Sequence, residues 1–286
     1  MSKAKPISPL RYPGGKACLT DFLKDILEYN NIHEAIYYEF YAGGAGAALS
    51  LLLKGIVSDI VLNDADIHIY SFWYSILNNT DEFIGLIRNC NINIENWYRQ
   101  RDIYENAADN DLLNVGFSTF FLNRCNRSGI LSKAGPIGGF NQSGNYLLDV
   151  RFNKEKLIQR IEDIALFKNH ITIYNTDAIT LIDTLINDLR QPNSILYLDP
   201  PYYHKGKSLY LNYYNHHDHE QLRDKLNLYR DCNWLVSYDN VEQIKILYQG
   251  FNQETIDINY SLQLKKKMSE IFIFSDNINL PIQIMV

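Results

Sequence analysis

Asn193-Ser194-Ile195-Leu196-Tyr197-Leu198-Asp199-Pro200-Pro201-Tyr202 is the stretch on which the reading of this chain turns. Ile195 to Leu198 is an apolar run of strand length, and Asp199 falls where that strand ends. Two prolines follow at once, fixing their own φ and biasing the residues before them towards extended conformations, so the turn is stiff. Pro200 lacks an N–H but keeps its carbonyl as an acceptor. A rigid tip thus carries one carboxylate, one fixed carbonyl and one aromatic ring, at the strand edge where open α/β sheets place their chemistry. That set suits a planar ring bearing an exocyclic amine: Asp199 and the Pro200 carbonyl each accept one N–H, while Tyr202 stacks on the ring face. A plain tight turn leaving a strand is the competing reading of the same four residues.

Upstream, Ile36 to Glu39 reads as a strand, followed by Phe40-Tyr41-Ala42-Gly43-Gly44-Ala45-Gly46 and an apolar helix through Leu53. Strand, glycine turn and helix make the first βα unit of a Rossmann-like sheet, although the glycine spacing does not match G-x-G-x-x-G well. Ile60-Val61-Leu62 is a second strand ending in Asn63-Asp64, and Asp64, 18 residues after Gly46, is placed to hydrogen-bond a ribose. The plainer alternative is that Gly43, Gly44 and Gly46 allow tight helix packing, while Asp64 or Asp66 caps the helix that begins near Ile67. Still earlier, Leu10-Arg11-Tyr12-Pro13-Gly14-Gly15-Lys16 is a stiff, then permissive, turn into a helix over Thr20 to Glu28. Its glycines allow close approach to a ligand, and Lys16 is able to meet a carboxylate or phosphate. Ile171 to Tyr174 is another strand, and Asp177 beyond it either caps the next helix or accepts a hydrogen bond from an adenine amine.

Between Asp66 and about Asp149 the βα alternation lapses. Ile67 to Leu77, Thr80 to Arg88, Trp97 to Ala108 and Leu112 to Leu122 read as helices. Asn123 to Gln142 follows, rich in glycine and asparagine, basic and free of acids. Arg and Asn are the side chains that reach phosphates and read base edges, which sets a nucleic-acid contact against a bland solvated loop. After the central motif come a tyrosine-rich loop, Tyr203 to Asn215, carrying Lys205 and Lys207, and a strand, Trp234 to Tyr238. Glu254 to Tyr260 and Glu270 to Ser275 are expected to close the sheet as an antiparallel hairpin with Lys265-Lys266-Lys267 at its tip. His216-His217-Asp218-His219 reads as the capped start of a helix, and no metal is expected.

The 286 residues, 46% of them hydrophobic, suffice for one large α/β domain with an insertion. A net charge of −6 argues globally against binding nucleic acid. Three acid-free stretches, Met1 to Lys16, Phe121 to Leu148 and Tyr203 to His217, carry basic residues that form one positive face if gathered together. The four cysteines, Cys18, Cys90, Cys125 and Cys232, are widely spaced, as reduced thiols in a cytoplasm are. With neither a leader-like apolar segment at the start nor a run of about 18 apolar residues, the expected location is cytoplasmic, away from membranes.

Taken together, these motifs resemble the Dam-like family of N6-adenine-specific DNA methyltransferases, over nearly the whole chain. The resemblance implies a Rossmann-like S-adenosylmethionine-dependent methyltransferase sheet with a C-terminal antiparallel hairpin, formed by residues 1–66 and 150–286. It also implies a mainly helical inserted target recognition domain over 67–149. Asp199, Pro200 and Tyr202 become the catalytic set. Tyr12, Lys16, Glu39, Gly43, Gly46, Asp64 and Asp177 become cofactor contacts, with Asp64 preferred to Asp66 for the ribose. Asn123, Arg124, Asn126, Arg127 and Lys133 become contacts to double-stranded DNA. The chain departs from the pattern at Phe40, where relatives often have proline, and at Ser128, where the hairpin often has an aromatic. A methyltransferase acting on RNA or on a protein amide, and a catalytically silent DNA- or cofactor-binding regulator, are the rival expectations. A nicotinamide-dependent dehydrogenase would leave Asp199 to Tyr202 unexplained.

Overall fold

The computed structural model describes residues 7–12, 15–203, 214–260 and 266–280, without the side chains of 258–260 and 266–268. Pro13, Gly14, Lys205, Lys207 and Lys265, all named above, lie outside the described residues, as do Lys3 and Lys5 of the first acid-free stretch. Seven strands form among the described residues: β1 (Ile36–Phe40), β2 (Asp59–Asn63), β3 (Ile171–Tyr174), β4 (Ser194–Leu198), β5 (Trp234–Asp239), β6 (Asn252–Tyr260) and β7 (Lys266–Phe274). The chain divides into two compact units, one of residues 1–15 and 65–175, the other of residues 16–64 and 176–286.

In the second unit the strands run in the order β2-β1-β4-β5-β7-β6. β2, β1, β4 and β5 are parallel, and β7 and β6 return antiparallel. β4 and β5 are buried along their whole length, as strands covered on both faces must be, which is why both read as near-continuous apolar runs. Chain order reverses across β1, with β2 on one side and β4 on the other; such a switch point opens a crevice at the carboxyl ends of the strands. The C-terminal hairpin forms as expected, with β7 starting at Lys266, earlier than the apolar pattern indicated. Helices α1 (Thr20–Tyr29) and α2 (Gly46–Leu53) belong to this unit.

The first unit is helical around α3 (Ile67–Asn78), α4 (Thr80–Asn89), α5 (Ile94–Glu105) and α6 (Leu112–Cys125). Its core is aromatic: Phe72, Phe83 and Phe120 are fully buried, and Phe72 stacks on Phe120 with centroids 5.9 Å apart. The unit is larger than the insertion expected at 67–149. α7 (Lys154–Ala165) packs Leu157, Ile158, Ile161 and Ile164 inward against α3 and α4, and β3 contacts α3. Leu10 is also buried here, and the Arg11 N–H donates to Asn123 Oδ1 at 2.7 Å. Apolar faces and backbone bonds, rather than the βα rhythm of the sequence, set the boundary. Among the described residues, no helix is long and apolar enough to cross a membrane.

Candidate active site

Register places the three sequence-predicted strand tips of the second unit side by side. Phe40 pairs with Asn63 on one side and Leu198 on the other, so Asp64, the Tyr41 turn and Asp199 leave adjacent strands together. Between them the turn after β1 is strained: Tyr41 and Ala45 both take positive φ, 64° and 46°. Non-glycine residues in that region cost about 1 to 3 kcal/mol each and persist where their surroundings hold them. Asp64 Oδ2 accepts the Gly43 N–H at 2.8 Å, tying the β2 tip to the turn. Gly46 opens α2 where a Cβ would lie 3.2 Å from the Ala17 backbone nitrogen, so the bare backbone lets the Lys16–Leu19 turn pass closely without a shift of a few tenths of an ångström.

α2 lacks a capping side chain of its own at Ala45. Glu39, buried on β1, supplies the acceptor instead, its Oε2 taking the Ala48 N–H at 2.9 Å. Burial pushes the Glu39 carboxyl up to about 8, with the neighbouring Asp199 charge adding to the shift.

Asp199 is held from two sides. Ser237 Oγ donates to its Oδ1 at 3.0 Å and is itself bonded to Tyr197 OH at 2.7 Å. The Lys16 ammonium lies 3.2 Å from the same Oδ1. No bond to Oδ2 is seen among the described residues, and the Asp199 side chain is 18% exposed. Lys16, only 3% exposed, also donates to Glu270 Oε1 and Oε2 at 3.0 and 2.9 Å and to Tyr202 OH at 2.7 Å. Tyr202 OH donates in turn to Glu270. Burial pushes Asp199 up to about 6; Lys16 opposes the shift and Glu270 adds to it.

A family model for D12 class N6 adenine-specific DNA methyltransferases matches residues 12–262. The chain belongs to this family. A solved structure of an rRNA methyltransferase, AviRa from Streptomyces viridochromogenes, is also similar, at 10% identity over 96% of this chain and 89% of that one, with a TM-score of 0.43. At that score the likeness carries no argument. No curated protein matches the chain.

As a member of the D12 class, the chain is an adenine-specific DNA methyltransferase by family. Asp199, Pro200 and Tyr202 share one tip with Lys16, and Asp64, Gly43, Gly46 and Glu39 surround the adjoining turn. Tyr12 lies in the helical unit. Asp177 is exposed and caps the helix Ala178–Thr184, its Oδ1 accepting the Thr180 N–H at 3.0 Å, so the plainer of its two readings is realised in this structure.

The expected DNA contacts divide. Asn123 and Arg124 fall in the last turn of α6 rather than in the loop. Asn123 is fully buried, bridging the Arg11 backbone and the Gly129 carbonyl, and Arg124 donates to the carbonyls of Arg151 and Pro9. Asn126 is also fully buried: it accepts the Trp97 indole N–H and donates to the Ile130 carbonyl, both at 2.8 Å. These three brace the loop from within, a correction to their expected outward role. Arg127 and Lys133 are exposed, as are Tyr98 and Phe140, whose rings stack with centroids 5.9 Å apart.

Glu270 and Ser237 escaped the sequence reading. Their signal is a polar residue inside an apolar strand, beside Ile271-Phe272-Ile273-Phe274 and within Trp234-Leu235-Val236-Ser237-Tyr238. The histidine-rich segment forms a capping box: Asn215 accepts from the backbone of His217 and Asp218, and Asp218 answers to the Asn215 N–H. Among the described residues, no group of His, Cys, Asp and Glu is arranged to hold a metal.

Proposed function

We propose that the protein transfers a methyl group from S-adenosylmethionine to N6 of an adenine turned out of double-stranded DNA. The observation that supports this most is the asymmetry of Asp199. Both bracing donors engage Oδ1, which leaves Oδ2 as the acceptor for an amine N–H arriving at the tip.

The residues present fit the cofactor. A carboxylate at the β2 tip suits a vicinal diol, and a glycine turn at a helix N-terminus suits a compact polar group. Asp64 and the Gly43 to Gly46 turn would hold it, with Glu39 fixing that turn through α2. S-adenosylmethionine supplies an activated methyl group on a sulfonium.

The exocyclic nitrogen of adenine is a weak nucleophile because its lone pair is delocalised into the ring. Asp199 Oδ2 and the Pro200 carbonyl accept its two N–H groups, favour a pyramidal nitrogen and stabilise the positive charge that grows on it. The Tyr202 ring, anchored through its hydroxyl by Lys16 and Glu270, holds the base by stacking, worth about 1 to 3 kcal/mol. Arg127 and Lys133 take phosphates, and the exposed, stacked Tyr98 and Phe140 rings offer an aromatic surface on the same helical unit.

The test is methyl incorporation from labelled S-adenosylmethionine into unmodified duplex DNA, with RNA and peptide amides as competing acceptors. Duplex DNA as the preferred acceptor, with Asp199→Ala slower by about 100- to 1,000-fold, supports the reading. DNA binding without incorporation by the wild type would make the protein a silent regulator instead.

A further inference from the structure

Glu270 is fully buried, and in the methyl transfer described above it serves only to anchor the Tyr202 hydroxyl. It sits on β7, opposite Asp239 of β5, so its strand position is set by sheet pairing rather than by the loop that carries Asp199. A buried carboxylate in an apolar strand is costly without partners. Its partners here are Lys16, through both oxygens, and the Tyr202 hydroxyl. Both groups touch the catalytic tip: Lys16 reaches Asp199 Oδ1, and Tyr202 is the ring proposed to hold the base. A lone lysine between Asp199 and solvent would have many rotamers. Glu270 accepts two of its N–H groups and the Tyr202 hydroxyl a third, which holds the ammonium at ion-pair distance from Asp199 Oδ1.

We propose that Glu270 is a positioning residue for the methyl transfer: it fixes the Lys16 ammonium against Asp199 Oδ1 and the Tyr202 hydroxyl, so that Asp199 Oδ2 and the Tyr202 ring stay turned towards the substrate base. This rests on the methyl-transfer reading of Asp199. Among the described residues, the charged and titratable groups facing Asp199 are Lys16 and Cys18 from the turn before α1, Tyr37 and Glu39 from β1, Tyr197 from β4 and Glu270 from β7. Lys16 is the cation among them, and Glu270 is the acid that shares it. Removing the Glu270 charge therefore both deletes a like charge near Asp199 and gives Asp199 a larger share of the ammonium. The two effects have the same sign.

The experiment is single-turnover methyl transfer to duplex DNA as a function of pH, in the full chain, for wild type, Glu270→Gln and Glu270→Ala. Glu270→Gln keeps an acceptor oxygen and removes the charge, so the acid limb of the profile moves to lower pH by about one unit. Glu270→Ala removes the bracket, and turnover falls about 100-fold with the cofactor KM nearly unchanged, as for a misplaced reacting group. An acid limb that stays in place in Glu270→Gln, or a Glu270→Ala enzyme that turns over like the wild type, overturns the role. Should Glu270→Ala fail to fold, the Glu270→Gln limb still decides. An inactive wild type would sink the methyl-transfer reading itself, whereas an active wild type with an unmoved Glu270→Gln limb overturns only the part given to Glu270.

Discussion

Replacing Lys16 by Met keeps the length and apolar stem of a buried side chain and removes the positive charge that pairs with both Asp199 and Glu270. The ammonium is 3.2 Å from one carboxylate and 2.9 Å from the other, so the two acids are within about 6 Å of each other. At an effective dielectric constant of about 20, two unit charges at that separation repel by about 3 kcal/mol. Losing one partner of a buried ion pair costs about 3 to 5 kcal/mol by a separate route, since it strands an uncompensated charge. The two figures agree, and both apply only while the acids are ionised. In the folded variant the pair takes up a proton more readily than the same groups do in the unfolded chain. The cost is therefore small near the unfolded carboxyl values of about 4 and grows as the pH rises. Urea unfolding of wild type and Lys16→Met at pH about 8 should differ by about 3 to 5 kcal/mol, and at pH about 5 by less than half of that. Equal losses at both pH values would mean that Lys16 acts through its packing alone, and the electrostatic account of this cluster would fall.

Three further outcomes follow from the helical unit. His68 donates from Nδ1 to Asp66 at 2.7 Å and from Nε2 to the Tyr104 carbonyl at 2.9 Å, a pair of bonds that the imidazolium makes in full. Burial works against that charge, but Asp66 outweighs it and raises the His68 pKa above 6.5. Its stabilisation is complete below the unfolded value and lost as pH rises through the folded one, so the melting-temperature gap between wild type and His68→Gln should narrow from pH about 6 to about 9. Asn126→Ala strands the Trp97 indole N–H and the Ile130 carbonyl and should cost about 2 to 4 kcal/mol in denaturant unfolding; a loss below about 1 kcal/mol would show that the loop does not depend on it. Replacing Arg127 and Lys133 together by Ala should lower the magnitude of the salt slope for duplex binding, measured by fluorescence anisotropy, by roughly 2. An unchanged slope would remove both residues from the DNA interface.

The parallel strands were legible because each is an apolar run that stops at a polar tip, and Asp64 and Asp199 sit at those tips in the sequence as they do in the fold. α6 was harder. Asn123 and Arg124 look like the start of a loop, yet the helix continues to Cys125 because Asn123 is spent on the backbone of Arg11, 112 residues away. Glu270 was invisible for the same reason, since its meaning depends on Lys16, 254 residues distant. Lys16 itself was expected at the cofactor and is found bonded to Asp199, Glu270 and Tyr202; a buried cation settles among buried acids, a fact that local pattern does not carry. Asp177 shows the opposite case, a polar residue before a helix that does what local chemistry alone would give it.

The claim on which the account depends is that the Asp199 tip presents its unbraced oxygen to the amino group of adenine. Nucleoside analysis by mass spectrometry, on duplex DNA incubated with S-adenosylmethionine and either wild type or Asp199→Asn, reads out the methylated atom directly. The account predicts N6-methyladenine as the sole new nucleoside with wild type and its near absence with the variant. Methylated cytosine, or equal yields of N6-methyladenine from both proteins, would contradict it.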